Sequence, residues 1–290
     1  LSRLLPGLAG LLLACAKPPA IVVDRLDVDA FMGGEVVAMS EGQLRAQVVA
    51  ELEAARVKVT LPPAKAPSGA APWRVQIAAG LTEPDVEHQT SVLQLALEWR
   101  HTGDRVGFEV RGHEVVRPPT ANDAVAMEGA LRAALGDALR RAVREATQVV
   151  RLDGAAPAEL AKKLASGDPA EQAAAVRLLV RAQDEAALPP LLERLKRDDV
   201  DELREVMGLL VELRSPRAVN PLVEAARQRG PLFEREVVFA VGAIGGSDAE
   251  AYLDLIATGH DDPVLRASAE QALAELRART PRPSQGDPKP

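Results

Sequence analysis

Four histidines, one cysteine and one glycine-dense stretch are the places in this chain where residue types could do chemistry. None of His88, His101, His113 and His260 shows metal-ligand spacing with another histidine or with the single cysteine, Cys15. His260-Asp261-Asp262 is the one run with metal-like composition. Its position before Pro263 predicts a turn in which Asp262 caps the next helix. His113-Glu114 falls at the end of an alternating run and reads as a solvated pair. Gly242-Ala-Ile-Gly245-Gly246 lacks the Lys-Ser/Thr of a phosphate loop, so its glycines are expected to end a helix. No Gly-x-Ser-x-Gly elbow occurs, and no Ser/His/Asp set suggests itself. These residues predict neither catalysis nor a metal or cofactor. The chain is expected to bind, not to react.

Cys15 takes its meaning from its setting. Arg3 precedes an apolar run from Leu4 to Ala14, which is shorter than the roughly 20 residues a bilayer-spanning helix needs. A basic residue, a short apolar stretch and a small residue before a processing point have the shape of a secretory signal. The run Leu12-Leu13-Ala14-Cys15 resembles the lipobox of bacterial lipoproteins. That resemblance implies that residues 1–14 are a removed signal and that Cys15 carries acyl chains. Ala16 stands where the family's inner-membrane retention signal would be Asp, so the resemblance implies an outer-membrane anchor facing the periplasm. Residues 15–20 would be the tether. A lone cysteine also excludes an intramolecular disulfide.

A net charge of −7 and seven aromatic residues in 290 argue against nucleic acid as a partner, because such binders need basic stripes and stacking platforms. At this length about two domains are expected.

The first would span residues 21–153. Ile21 to Val28 is β-branched and alternating, with Phe31-Met32-Gly33-Gly34 as its turn. Ser40-Glu-Gly-Gln43 spells a capping box, and Leu44, Val48, Leu52 and Ala55 follow at helical spacing. Val57 to Leu61 is a short strand closed by Pro62-Pro63, and the stretch to Pro72 is a loop. Three alternating runs follow, with Trp73/Val75/Ile77/Ala79, Leu93/Leu95/Leu97/Trp99 and Val106/Phe108/Val110 each on one face. His101-Thr-Gly-Asp104 is a hairpin turn. Thr120 to Asp123 opens a long helix striped by Met127, Leu131, Leu135, Leu139, Val143 and Ala146. The expected fold is α+β, with helices on one face of a mostly antiparallel sheet. The element order is similar to that of small α/β domains in Gram-negative periplasmic lipoproteins, including auxiliary lipoproteins of ABC-type transport systems.

The second would span residues 157–279 and repeats at a step of 31 residues. Leu191, Leu222 and Leu253 keep that step, as do Leu179, Leu210 and Val241, and Ala187, Ala218 and Ala249. Asp168 and Asp199 keep it too, with Gly230 and Asp261 continuing the column. Two amphipathic helical stretches fill each unit, with Pro169, Pro216, Pro231 and Pro263 at helix starts. The runs Asp168-Pro-x4-Ala-Ala-x2-Leu-Leu179, Ala240-Val-Gly-Ala-Ile-Gly245 and Asp262-Pro-Val-Leu-Arg-Ala-Ser-Ala-Glu-Gln-Ala-Leu273 resemble short HEAT repeats of the type found in phycobilisome lyases. That resemblance implies an all-α solenoid with its second helices on the concave side. Glu250 interrupts an apolar column held by Leu188 and Val219. Residues 280–290 read as a disordered tail.

Counting by 31 turns Leu188, Leu191, Leu195, Val219, Leu222 and Ala226 into the stack. Glu193, Lys196, Asn220, Glu224 and Arg227 then project outward as candidate partner-binding residues. The charged run Glu193 to Glu202 would be part of that ridge. Three functions are open at this point. The first is a lipid-anchored scaffold or adaptor for another envelope protein. The second is an accessory lipoprotein of an envelope transport system, and the third a lyase-like enzyme. Export and the missing nucleophile disfavour the enzyme.

Overall fold

A computed structural model describes residues 21–30, 40–64, 71–81, 91–103, 107–116, 124–197, 199–227 and 229–279. Cys15 with its leader and tether, the turn at residues 31–34, His88, the helix opening at 120–123 and the tail at 280–290 lie outside the described residues.

The first half is a five-stranded sheet with two helices on one face. The elements run β1 (Val22–Ala30), α1 (Glu41–Ala54), β2 (Lys58–Val59), β3 (Trp73–Leu81), β4 (Ser91–His101), β5 (Phe108–Val116) and α2 (Ala124–Leu152). The α1 capping box forms as spelled: the Gln43 amide donates to Ser40 Oγ at 3.3 Å and the Ser40 amide donates to Gln43 Oε1 at 2.8 Å. Leu44, Val48 and Leu52 then turn inward. Strict alternation on β3 buries Trp73, Val75, Ile77 and Ala79 and exposes Arg74, Gln76 and Ala78. Trp73, Trp99 and Phe108 close one end of this core, with Trp73 edge-on to both other rings.

Two expectations need correcting. The sheet is mixed, not mostly antiparallel: its order is β2-β1-β3-β4-β5, and β1 runs parallel to both β2 and β3. Helix α1 carries the chain back across the sheet, so β2 re-enters in the direction of β1. Side-chain alternation reveals faces but not strand direction, which hid this feature. Strand β5 also extends to Val116, so His113-Glu114 lies within it and not at its end.

The second half is all helical. It comprises α3 (Pro157–Lys163), α4 (Pro169–Arg181), α5 (Leu188–Arg194), α6 (Val200–Leu213), α7 (Val219–Ala226), α8 (Pro231–Ile244), α9 (Ser247–Gly259) and α10 (Pro263–Arg279). Short 3-10 turns at Glu185–Ala187 and Pro216–Ala218 lead into α5 and α7. Asp168 caps α4 by accepting from the Ala170 amide, Asp199 caps α6 through the Asp201 and Glu202 amides, and Asp262 caps α10 through Val264. Gly230 offers α8 no side-chain cap.

The 31-residue step governs packing as well as sequence. Leu160, Leu191, Leu222 and Leu253 are all buried, and Leu179, Leu210 and Val241 are wholly so. A positive φ after each first helix repeats too, at 52°, 54° and 81° for Gln183, Arg214 and Gly245, although ψ is 29° at Arg214 and −168° at Gly245. Helices α4, α6, α8 and α10 pack side by side in succession, and α3, α5, α7 and α9 pack against them. The row of first helices begins with α2, which lays one face on β4 and β5 and another on α4. One apolar core therefore runs unbroken from Ile21 to Leu276.

Candidate partner-binding surface

Helices α5 and α7 present two opposite faces. Leu188 and Leu191 on α5, Leu195 at its C-cap, and Val219, Leu222 and Ala226 on α7 point into the core, each at most 4% exposed. Their placement follows from the spacing, since residues three and four apart share one side of a helix. Glu193, Lys196, Asn220, Glu224 and Arg227 all lie on the exposed side. They pair locally: Lys196 with Glu193 at 2.7 Å, Arg227 with Glu224 at 3.0 Å, and the Asn220 amide with Asp248 on α9 at 3.1 Å. Pairs this exposed contribute little to stability, so the ridge is held in shape by the leucines beneath it. Glu250, which interrupts the inward column, is exposed on α9 and pairs with Arg277 of α10 at 2.7 Å.

A second set of charges lies deeper and was not anticipated. Glu145 of α2, Arg177 of α4, Glu205 and Glu202 of α6, and Arg194 of α5 form a chain of alternating sign. Its links are 2.9 Å (Glu145–Arg177), 3.3 Å (Arg177–Glu205), 3.2 Å (Arg194–Glu205) and 3.1 Å (Arg194–Glu202). Arg197 closes the outer end on Glu202 at 2.8 Å. Burial pushes the Glu145 carboxyl above its ordinary range, against the pull of Arg177. A sequence signal for this network exists: Glu145 to Arg177 is 32 residues and Arg177 to Glu205 is 28. These are the steps that bracket a 31-residue repeat by one helical turn. The same 32-residue step joins Arg204 to Glu236 at 2.8 Å.

The described histidines, His101, His113 and His260, occupy structural positions. His113 Nε2 lies 3.1 Å from Asp199 Oδ2, linking β5 to the cap of α6, and Glu114 pairs with Arg141. Both members of that pair are half-buried rather than fully solvated, because α2 and the α6 cap face this part of β5. Burial works against the Asp199 charge, but the Glu202 amide and His113 outweigh it and hold its pKa below the usual carboxylate range. His260 accepts from the Asp262 amide through Nδ1 at 3.0 Å, inside the turn that Asp262 uses to cap α10. His101 lies against Trp73 with ring centroids 4.7 Å apart. Among the described residues no group of three His, Cys, Asp or Glu could hold a metal. No helix among them is long and apolar enough to cross a membrane.

No family model matches the chain, and no curated protein matches it in sequence. Among solved structures, the crystal structure of an uncharacterized protein is 14% identical, with a TM-score of 0.32 over 44% of this chain and 95% of its own length. A likeness that slight carries no argument about fold or function.

Proposed function

We propose that the protein is a lipid-anchored periplasmic adaptor at the outer membrane, in which residues 157–279 form a HEAT-type solenoid that docks another envelope protein along its second helices. One observation carries the reading. The 31-residue step places one buried leucine per unit, at Leu160, Leu191, Leu222 and Leu253, and leaves a charged ridge on the far side of α5 and α7. A surface of this kind is extended, rigid and polar, as repeat scaffolds use for recognition. The anchor rests on the signal-like leader and on Leu12-Leu13-Ala14-Cys15.

The test is a cross-linked pull-down of the full-length protein from membranes, comparing wild type with a combined Glu193→Lys and Glu224→Lys variant. Each change sets like charges three residues apart on an exposed helix face, at a cost under about 0.5 kcal/mol. The variant should stay folded and lose its partner. Recovery of every wild-type partner would remove this ridge from consideration. Palmitate labelling tests the anchor separately, since Cys15→Ser should abolish uptake.

A further inference from the structure

The uncovered face of the sheet carries a row of three arginines in register. Arg25 of β1 stands opposite Arg74 of β3, and Arg74 stands opposite Arg100 of β4. Neighbouring strands lie about 4.8 Å apart, so three guanidinium groups share a strip about 10 Å wide. Like charges directly opposite one another destabilise a sheet. Arg25 and Arg100 are each relieved by a carboxylate two residues away, Asp27 at 2.8 Å and Glu98 at 2.6 Å. Arg74, between them, has no ion pair or hydrogen-bond partner for its side chain among the described residues. A hollow on this face is lined by the three arginines together with Asp27, Gln76 and Glu98.

A bulge in β1 produces the row. The β1–β3 register shifts between Val23 and Arg25. In an unbroken ladder Asp24 would stand opposite Arg74 and could neutralise it. The bulge instead keeps both Val23 and Leu26 in the core, at 0% and 2% exposure, and brings Arg25 to Arg74. Two residues farther along β1, the neighbouring row reads Asp27, Gln76, Glu98 and Glu109. Charge on the face is therefore polarised, with its basic edge toward the start of β1. Ile21 follows Cys15 by six residues, a reach of about 20 Å when extended.

We infer that the Arg25–Arg74–Arg100 row binds the phosphate groups of anionic phospholipid, seating the open face of the sheet on the membrane surface. The inference deepens the lipid-anchor reading and rests on it, because that anchor brings the basic edge within reach of the bilayer. Guanidinium and phosphate match in charge and in bidentate geometry. A basic patch is also the common second signal beside a lipid anchor.

The test uses the mature chain from residue 15 carrying Cys15→Ser, which lacks the apolar leader and cannot be acylated, and co-sedimentation with vesicles of phosphatidylcholine alone or mixed with phosphatidylglycerol. The protein should partition several-fold better into the mixed vesicles. Adding Arg74→Glu should abolish that several-fold preference and leave the phosphatidylcholine value unchanged. Arg235→Glu, the same charge change at an exposed position of α8, should have little effect. Thermal melts confirm that each variant is folded. Equal losses from Arg74→Glu and Arg235→Glu would overturn the site, as would equal partition into both vesicle types. Competition by millimolar glycerol phosphate without any vesicle preference would also overturn it, in favour of a soluble anion. If wild type takes up no palmitate, the anchor fails while an Arg74-dependent vesicle result still stands; the converse outcome sinks the arginine row alone.

Discussion

The guanidinium of Arg177 on α4 lies 2.9 Å from the carboxylate of Glu145 on α2, with the two side chains 16% and 15% exposed. Helix α2 belongs to the sheet and α4 to the repeats, so this ion pair spans the join between the halves. Burial makes the pair costly to break, because the surviving charge would be left in a poorly solvated place.

Arg177→Met should destabilise the protein by about 3 kcal/mol, read as a lower urea midpoint at pH 8. The deficit should depend on pH. The folded-state pKa of Glu145 is raised, so its stabilising contribution is fully present below the ordinary carboxylate pKa and is lost as pH rises through the folded value. Without Arg177 the penalty should therefore shrink at pH 5, where Glu145 can take up a proton. A deficit equal at both pH values would mean that Glu145 is not the group left uncompensated.

Positive φ recurs at Gln183, Arg214 and Gly245, and only the last unit places glycine there. A side chain at φ near +55° costs about 1 kcal/mol, and glycine removes that cost. Gln183→Gly and Arg214→Gly should each stabilise by up to about 1 kcal/mol, whereas Gly245→Ala should destabilise. Gly245→Ala meets a second obstacle, since its new Cβ would lie 3.2 Å from Leu276 Cδ1. Thermal melts of the three variants check the order.

Tyr252 is the single tyrosine, so its ionisation can be followed alone at 295 nm. Burial, reinforced by Glu234, pushes its pKa up to about 12. The folded protein should titrate there and the urea-unfolded chain near 10. By linkage, Tyr252 favours the folded state below about pH 10, and that contribution is lost as pH rises toward 12. A folded-state midpoint near 10 would place the ring in water.

Leu222→Ala should cost about 3 kcal/mol by leaving a cavity at a wholly buried site in the middle of the repeats. Gly208→Ala, one unit on from Arg177, should do the reverse. It lies on the exposed side of α6, a new Cβ there meets nothing within 4 Å, and the gain should be about 0.5–1 kcal/mol. Urea unfolding of both variants measures the contrast.

The helices were legible because prolines, capping residues and a 31-residue apolar column mark their ends and inner faces locally. Asp262 is legible as a cap from sequence alone, since capping needs only the two residues that follow. The β3 and β4 faces were legible for the same reason. What escaped depends on partners distant in sequence. The direction of β1 relative to β3 is set by where α1 sends the chain, and the His113–Asp199 contact joins residues 86 apart. The Glu145–Arg177–Glu205 chain left a trace in its 32- and 28-residue steps. That trace becomes visible only once α2 is known to stand beside α4. The outward residues of α5 and α7 were placed by counting alone, whereas the arginine row needed strand order and a bulge.

Because α2 lies against the sheet on one face and against α4 on another, the row of first helices is joined to the sheet at one end. A tandem copy of the 31 residues from Asp199 to Arg229, inserted between two equivalent turns, would match the packing on both its sides. Each copy would extend the reach by roughly one interhelical spacing, about 10 Å, and leave both terminal surfaces unchanged. A chain lengthened in this way by whole units should keep the α2–α4 contact and the sheet behind it unaltered.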